Sequence, residues 1–262
     1  MIAAMPAPVT LRHDLDRLRV SLLAEASYCE QKAALSVAHP EAEVESAEMR
    51  AGTAAHSALE AETEKVDAAE LERRIAAGEE LSLREFPLAA EIGGVRLRGQ
   101  LDHLELLGAR ALWVYDFKFS RYASRLFPNH RLQLSLYGLL LAANDFEVAD
   151  LLCAVVIVPP RRGRGSLIET DPALANAAIA ASQELRGAGG GSLIAPGFAV
   201  HAFAFDAPAA RRQFQDAVGY WTGRREARPA DSPAKCRPCA YNAQGLCPVA
   251  LAPPEYGLAQ ER

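Results

Sequence analysis

The distribution of cysteine constrains this chain more than any other feature. Of five cysteines in 262 residues, Cys29 stands alone near the N-terminus, Cys153 lies mid-chain, and Cys236, Cys239 and Cys247 form a C-x2-C-x7-C cluster near the C-terminus. In a reducing compartment a C-x2-C pair points to metal or redox chemistry more than to a disulfide. If Cys29 joins the three distal thiols in one site, both ends of the chain are stapled together around everything between them. Spacing leaves the bound group open, because four thiolates suit a structural zinc and a 4Fe–4S cluster alike. Cys153 sits inside the run LLCAVVIV and reads as a buried small hydrophobe.

Half of the residues are hydrophobic, enough at this length for a substantial core in one large domain, or one with a small appendage. No apolar run approaches the length of a membrane span. Residues 1–10 lack the basic region that opens a secretory signal, so the expectation is a cytoplasmic protein with reduced cysteines and no membrane partner. The net charge of -5 argues against wholesale phosphate binding, though weakly for a chain whose carboxylates hold cations. The basic clusters at Arg161, Arg162 and Arg164, at Arg121, Arg125, His130 and Arg131, and at Arg224, Arg225 and Arg228 read individually as solvated surface.

Hydrophobic periodicity predicts a helix over 11–35, a second over 47–66 with Gly52, His56 and Glu60 on one face, and a charged surface helix and loop over 67–85. Val95–Leu107 and Leu112–Phe119 read as two strands joined by the three-residue loop Gly108-Ala109-Arg110. A Leu-rich helix over 129–144 precedes a strand at 151–158, buried on both faces. Then come a helix over 171–186, a flexible connector over 187–192, a strand at 200–206, a helix over 207–225 and the cysteine loop. This order is α/β with a mixed sheet.

The strand Leu112–Phe119 carries Asp116 and Lys118 on one face, and both its faces are mostly apolar, which places it inside the sheet. With a three-residue loop, Leu107 pairs with Ala111 and Asp102 falls opposite Asp116. Directly opposed residues have Cβ atoms about 5 Å apart. Two carboxylates that close repel unless a cation lies between them, and Mg2+ suits such a site. An Asp116–Lys118 ion pair, with Asp102 an ordinary polar strand residue, satisfies the same spacing. His56 is a neutral nitrogen donor, and Gln133 and Tyr137 share one helix face at i, i+4. Each of these three, taken alone, also fits a structural role.

In order, the motifs G-x3-H (Gly52–His56), G-x2-D (Gly99–Asp102), D-x-K (Asp116–Lys118) and Q-x3-Y (Gln133–Tyr137) resemble the RecB-like branch of the PD-(D/E)xK nuclease superfamily. One cysteine before that core and three after it resemble its iron–sulfur members, most of all the CRISPR-associated Cas-four nucleases. AddB, the Dna-two helicase–nuclease and the exonuclease V group are close relatives. Leu101 stands where the superfamily's name has Pro. The resemblance implies a restriction-endonuclease-like core over 92–206 in a single domain spanning 1–262. An N-terminal helical part at 11–66 carries Cys29 and His56, and 207–262 forms the C-terminal helix and cysteine loop.

The resemblance further implies that His56, Asp102, Asp116 and the Phe117 backbone carbonyl hold Mg2+ or Mn2+. Lys118 orients the attacking water and stabilises the charged phosphorane, while Gln133 and Tyr137 place the strand and support the site. Cys29, Cys236, Cys239 and Cys247 hold a structural 4Fe–4S cluster. The implied activity is metal-dependent exonuclease action on single-stranded DNA or DNA ends, with endonuclease action beside it, trimming DNA in spacer acquisition with a CRISPR integrase complex. The alternatives are an AddB-like or exonuclease V-like enzyme of repair or phage defence, and a non-catalytic DNA-end-binding subunit with a structural zinc.

Overall fold

The computed structural model describes residues 9–44, 50, 53–54, 67–119, 125–159, 161–162, 168–169 and 172–255. Its centre is a mixed sheet of seven strands in the order β1-β3-β4-β5-β9-β8, with β2 on the remaining edge of β3. The strands are β1 (Leu18–Arg19), β2 (Glu80–Ile92), β3 (Val95–Leu107), β4 (Arg110–Lys118), β5 (Leu152–Ile157), β8 (Gly190–Ala195) and β9 (Phe198–Ala204). A separate two-stranded ribbon joins β6 (Arg161–Arg162) to β7 (Ile168–Glu169). β4 and β5 run parallel, a pairing that needs a crossover, and α4 (Pro128–Ala143) supplies it.

Helices flank both faces. On one, α4 packs between α1 (Val20–Tyr28) and α6 (Ala207–Ala217); on the other, α5 (Pro172–Ser182) covers β5 and β9. Alternation along the inner strands feeds both cores. Cys153, Val155 and Ile157 of β5 face the first, while Leu152, Ala154 and Val156 face the second together with Trp113, Tyr115 and Phe117 of β4. β4 is therefore an interior strand, as its two apolar faces require.

How the strands share β3 positions the site. β2 pairs along the whole of one edge of β3. The other edge is divided: β4 takes His103–Leu107, and β1 takes Leu97 and Arg98. Residues 99–102 lie between these two partners with no strand beside them on that edge among the described residues, and a cleft opens there.

Several elements depart from their sequence-based expectations. The single helix over 11–35 is instead a short 3-10 turn (Arg12–Asp14), β1, α1 and α2 (Glu30–Ala38). Leu18 enters the sheet, and the helices break at Cys29, whose extended backbone (φ -164) lets its thiol accept the Lys32 N–H and cap α2. The stretch over 67–85 yields α3 (Ala68–Ala76) and the start of β2. Charges and Pro87 hide that strand, and an outer strand tolerates both. The connector over 187–192 runs into β8, where a Cβ on Gly190 would stand 2.7 Å from the Ala202 carbonyl oxygen. Gly190 therefore answers to close approach of backbone, not to looseness. The helix over 207–225 ends at Ala217 and continues in turns. The helix over 47–66 lies largely outside the described residues. No helix among the described residues is long and apolar enough to cross a membrane.

The hairpin loop is two residues long, with Leu107 opposite Arg110, not three. A bulge between Glu105 and Leu106 restores the count, so the ladder ends at His103 opposite Tyr115. One step further, Asp102 faces Asp116. The loop is one residue shorter than the sequence spacing predicts, and the bulge offsets the difference.

Candidate active site

The divided edge of β3 opens into a cleft of about 880 Å3, with Asp102, Asp116, Lys118, Gln133 and Tyr137 all in its lining. β3 supplies Asp102, the end of β4 supplies Asp116 and Lys118, and α4 supplies Gln133 and Tyr137. Asp116 is fully buried, at 0% exposure. Its Oδ1 accepts a hydrogen bond from Lys118 Nζ at 2.9 Å, while its Oδ2, also buried, has no hydrogen-bond partner among the described residues. A carboxylate oxygen in that state is unfavourable by several kcal/mol unless a cation compensates it.

The polar chain continues into α4. Lys118 Nζ also donates to Gln133 Oε1 at 3.2 Å, and Gln133 Nε2 donates to the Tyr137 hydroxyl at 3.1 Å. Burial works against the Lys118 charge, but the Asp116 and Asp102 carboxylates outweigh it and hold the ammonium above its ordinary range. Burial, then Asp102 and Asp116, push the Tyr137 phenol well above its ordinary range, so it stays a neutral hydroxyl. The Tyr137 ring fits because β3 has no side chain beneath it. A Cβ on Gly99 would stand 2.6 Å from Tyr137 Cε1. One short segment, Gly99–Asp102, thus supplies both the space for the phenol and a carboxylate.

Asp102 is tied to the next strand: its Oδ2 accepts the Phe117 backbone N–H at 2.6 Å. The Phe117 side chain turns into the opposite core. Of the expected cation ligands, Asp102, Asp116 and Phe117 come together, and His56 lies outside the described residues. Among the described residues no group of three or more His, Cys, Asp or Glu side chains has a spacing that could hold a metal ion. The buried, unpartnered Asp116 Oδ2 beside Asp102 nevertheless fits a divalent cation by its donor chemistry.

Three features escaped the sequence. Glu85 on β2 faces Asp102, between the pairs Arg84–His103 and Phe86–Leu101. It adopts a left-handed φ of 48°, uncommon for a non-glycine residue and concentrated at functional sites. Reading β2 as loop hid it. His130 lies three residues before Gln133 on α4; burial, then the Lys118 charge, lower its pKa, and its buried Nδ1 has no partner among the described residues. The i, i+3 spacing to Gln133 could have flagged it. Arg19 and Arg98 also line the cleft.

The four outlying cysteines, all free thiols, line one small cavity of about 20 Å3 at the other end of α1. Backbone N–H groups point at two of the sulfurs, Lys32 at Cys29 and Leu251 at Cys236, at 3.4 and 3.5 Å. Burial raises the Cys29 pKa. Although they share this cavity, no three of these thiols are spaced to hold a metal ion in the structure. The chain ends are also joined by ordinary contacts. Buried Glu30 binds both terminal nitrogens of Arg225 and accepts the Arg228 N–H, and Lys235 Nζ donates to the Tyr28 carbonyl. Arg228 pairs with Asp216. Arg225 and Arg228 are therefore structural clamps, not the free surface charges that their sequence suggested.

The sequence matches the family model of the PD-(D/E)XK nuclease superfamily over residues 17–248. Among solved structures, the fold is similar to "Crystal structure of SSO0001", with a TM-score of 0.50 and 16% identity, covering 90% of this chain and 87% of that one. Likeness at that identity speaks for the fold alone. No curated protein matches the sequence.

Proposed function

Because the chain belongs to the PD-(D/E)XK nuclease superfamily, whose members are generally nucleases, we propose that it hydrolyses DNA phosphodiester bonds in the cleft between β1 and β4. The observation that carries this reading is Asp116: a fully buried carboxylate with one oxygen on a permanently charged lysine and the other without a partner, in the lining of an open cleft.

Nucleases of the superfamily use divalent metals such as Mg2+ or Mn2+. Asp102, Asp116, the Phe117 carbonyl and His56 would hold the ion here. When bound, it supplies Lewis-acid polarisation of the phosphate and neutralises charge developing on its oxygens. The chain's own groups do the rest. Lys118 keeps its proton throughout the physiological range, so it acts as a fixed positive charge and hydrogen-bond donor and not as a base. Gln133 holds Nζ by accepting from it, and the neutral Tyr137 hydroxyl fixes the Gln133 amide. Asp102, held by the Phe117 N–H, cannot swing away from Asp116. The test is cleavage of single-stranded DNA with Mg2+ or Mn2+. The reading requires activity in the wild type and a loss of about 100-fold or more in Lys118→Ala. Undiminished cleavage by that variant overturns it.

The proposal extends to a Cas-four-type exonuclease on single-stranded DNA or DNA ends, with endonuclease action beside it, working in spacer acquisition with a CRISPR integrase complex. Cys29, Cys236, Cys239 and Cys247 would hold a structural 4Fe–4S cluster that braces the frame around the cleft. Support comes from one cysteine before the core and three after it, and from a cavity that all four line. An anaerobic visible spectrum with iron and sulfide analysis tests this. Brown protein with both elements is expected; a colourless, zinc-loaded protein points to the AddB-like, exonuclease V-like or non-catalytic alternatives and leaves the nuclease core standing.

A further inference from the structure

We propose that Arg19 and Arg98 form a phosphate subsite that grips the nucleic-acid backbone beside the scissile bond. The inference rests on the nuclease reading and adds to it the groups that hold the strand.

β1 pairs with β3 in parallel register, Leu18 with Leu97 and Arg19 with Arg98. Paired residues on adjacent strands share a face and stand about 5 Å apart. Two guanidiniums are thereby set side by side, both exposed and both in the lining of the cleft that holds Asp102, Asp116 and Lys118. Among the described residues neither has a carboxylate partner, in contrast to Arg12, Arg74, Arg225 and Arg228, each of which is paired. Like charges at this spacing repel, and an anion shared between them removes the repulsion. The surroundings favour one. α1 starts at the cleft wall with Val20 and Ser21 in its lining, and its N-cap residue Arg19 makes no side-chain cap, so the positive end of a nine-residue helix adds to the field.

Arg98 precedes Asp102 by four residues on the same strand, about 13 Å at strand rise. The phosphate held there is a flanking one, not the one cleaved. In a chain of net charge -5, a local pair of this kind supplies the attraction that the protein as a whole lacks. Arginine suits the task because its planar fork meets phosphate oxygens two at a time.

The experiment compares wild type with Arg19→Ala, Arg98→Ala and the double variant, measuring Kd for a single-stranded oligonucleotide across a salt series, and KM and kcat for its cleavage. The double variant is expected to raise Kd and KM by about tenfold or more with little change in kcat. Its log Kd against log salt should be shallower by about 0.7, the slope of one phosphate contact on a single strand. Arg98→Lys, which keeps the charge, should recover most of that slope. Unchanged affinity and salt slope in the double variant overturn the subsite. Binding is read without turnover, so the two readings separate. A wild type that binds with the predicted slope but cuts nothing under Mg2+ or Mn2+ fails as a nuclease and keeps the subsite. A wild type that cuts while the variants bind equally well keeps the nuclease and loses the subsite.

Discussion

The carboxylate of Asp102 accepts the backbone N–H of Phe117 at 2.6 Å, just past the point where the β3–β4 ladder ends at His103 and Tyr115. A side chain takes over where strand pairing stops, and it fixes the separation between Asp102 and the strand that carries Asp116 and Lys118. Asp102→Asn keeps an oxygen for Phe117, whereas Asp102→Ala leaves a buried N–H without a partner. The alanine variant should therefore lose about 1–3 kcal/mol of stability and the asparagine variant less than 1, while both lose cleavage. Denaturant unfolding beside an activity assay checks this; equal destabilisation by the two substitutions contradicts it.

Gly99→Ala should disable the site without touching an ionisable group. The new methyl would stand 2.6 Å from Tyr137 Cε1, closer than any relaxed contact. The ring must move, the Gln133–Tyr137 bond breaks, and Lys118 loses its support. Overpacking of this kind destabilises by about 1–3 kcal/mol. The expected signature is a fall in kcat larger than the change in KM, with Tyr137→Phe close to wild type in stability. A Gly99→Ala variant with full kcat would show that the phenol's position does not matter.

His130 gives the fold a pH dependence with a definite sign. Burial first, and the Lys118 charge second, hold its folded-state pKa below the ordinary 6.5. Between those two values the unfolded chain binds more protons than the folded one, so stability rises with pH across the window. The contribution is fully present above about 6.5 and is lost as pH falls through that value toward the folded pKa. His130→Gln should flatten this limb in thermal melts taken from pH 5 to 7; an unchanged slope contradicts the assignment.

Removing Glu30 should open the C-terminal segment whatever the cysteines hold. Glu30 is 6% exposed and binds Arg225 and the Arg228 N–H. Glu30→Ala strands the half-buried Arg225 guanidinium and should be destabilising by on the order of 3 kcal/mol. Limited proteolysis should then cut within 226–235, while Cys29→Ala in the metal-free protein leaves that segment protected. Equal protection in Glu30→Ala and the wild type would return the stapling of the chain ends to the thiols alone.

Legibility in the sequence followed how local each signal was. β4 could be read because its two apolar faces demand an interior place, and Asp116 and Lys118 then share a face by strand periodicity. β2 could not, because Leu81 and Leu83 alternate over too short a run before Pro87 and the charges interrupt it. Asp102 came to face Asp116 although the loop was misjudged, since a bulge is invisible until both strands are placed. The break at Cys29 depends on a thiol capping a helix, which no leucine spacing announces. The link from Gly99 to Tyr137, the clamp from Glu30 to Arg225 and the adjacency of Arg19 and Arg98 are all long-range, and only the fold brings their members together.

Asp116 Oδ2, buried and without a partner among the described residues, is the oxygen that a divalent cation would complete. Calorimetric titration of the metal-free protein with Mn2+ reads this directly, beside Asp116→Asn. Saturable Mn2+ binding with a rise in melting temperature is expected in the wild type, and neither in Asp116→Asn. Equal Mn2+ binding by the two proteins would contradict it.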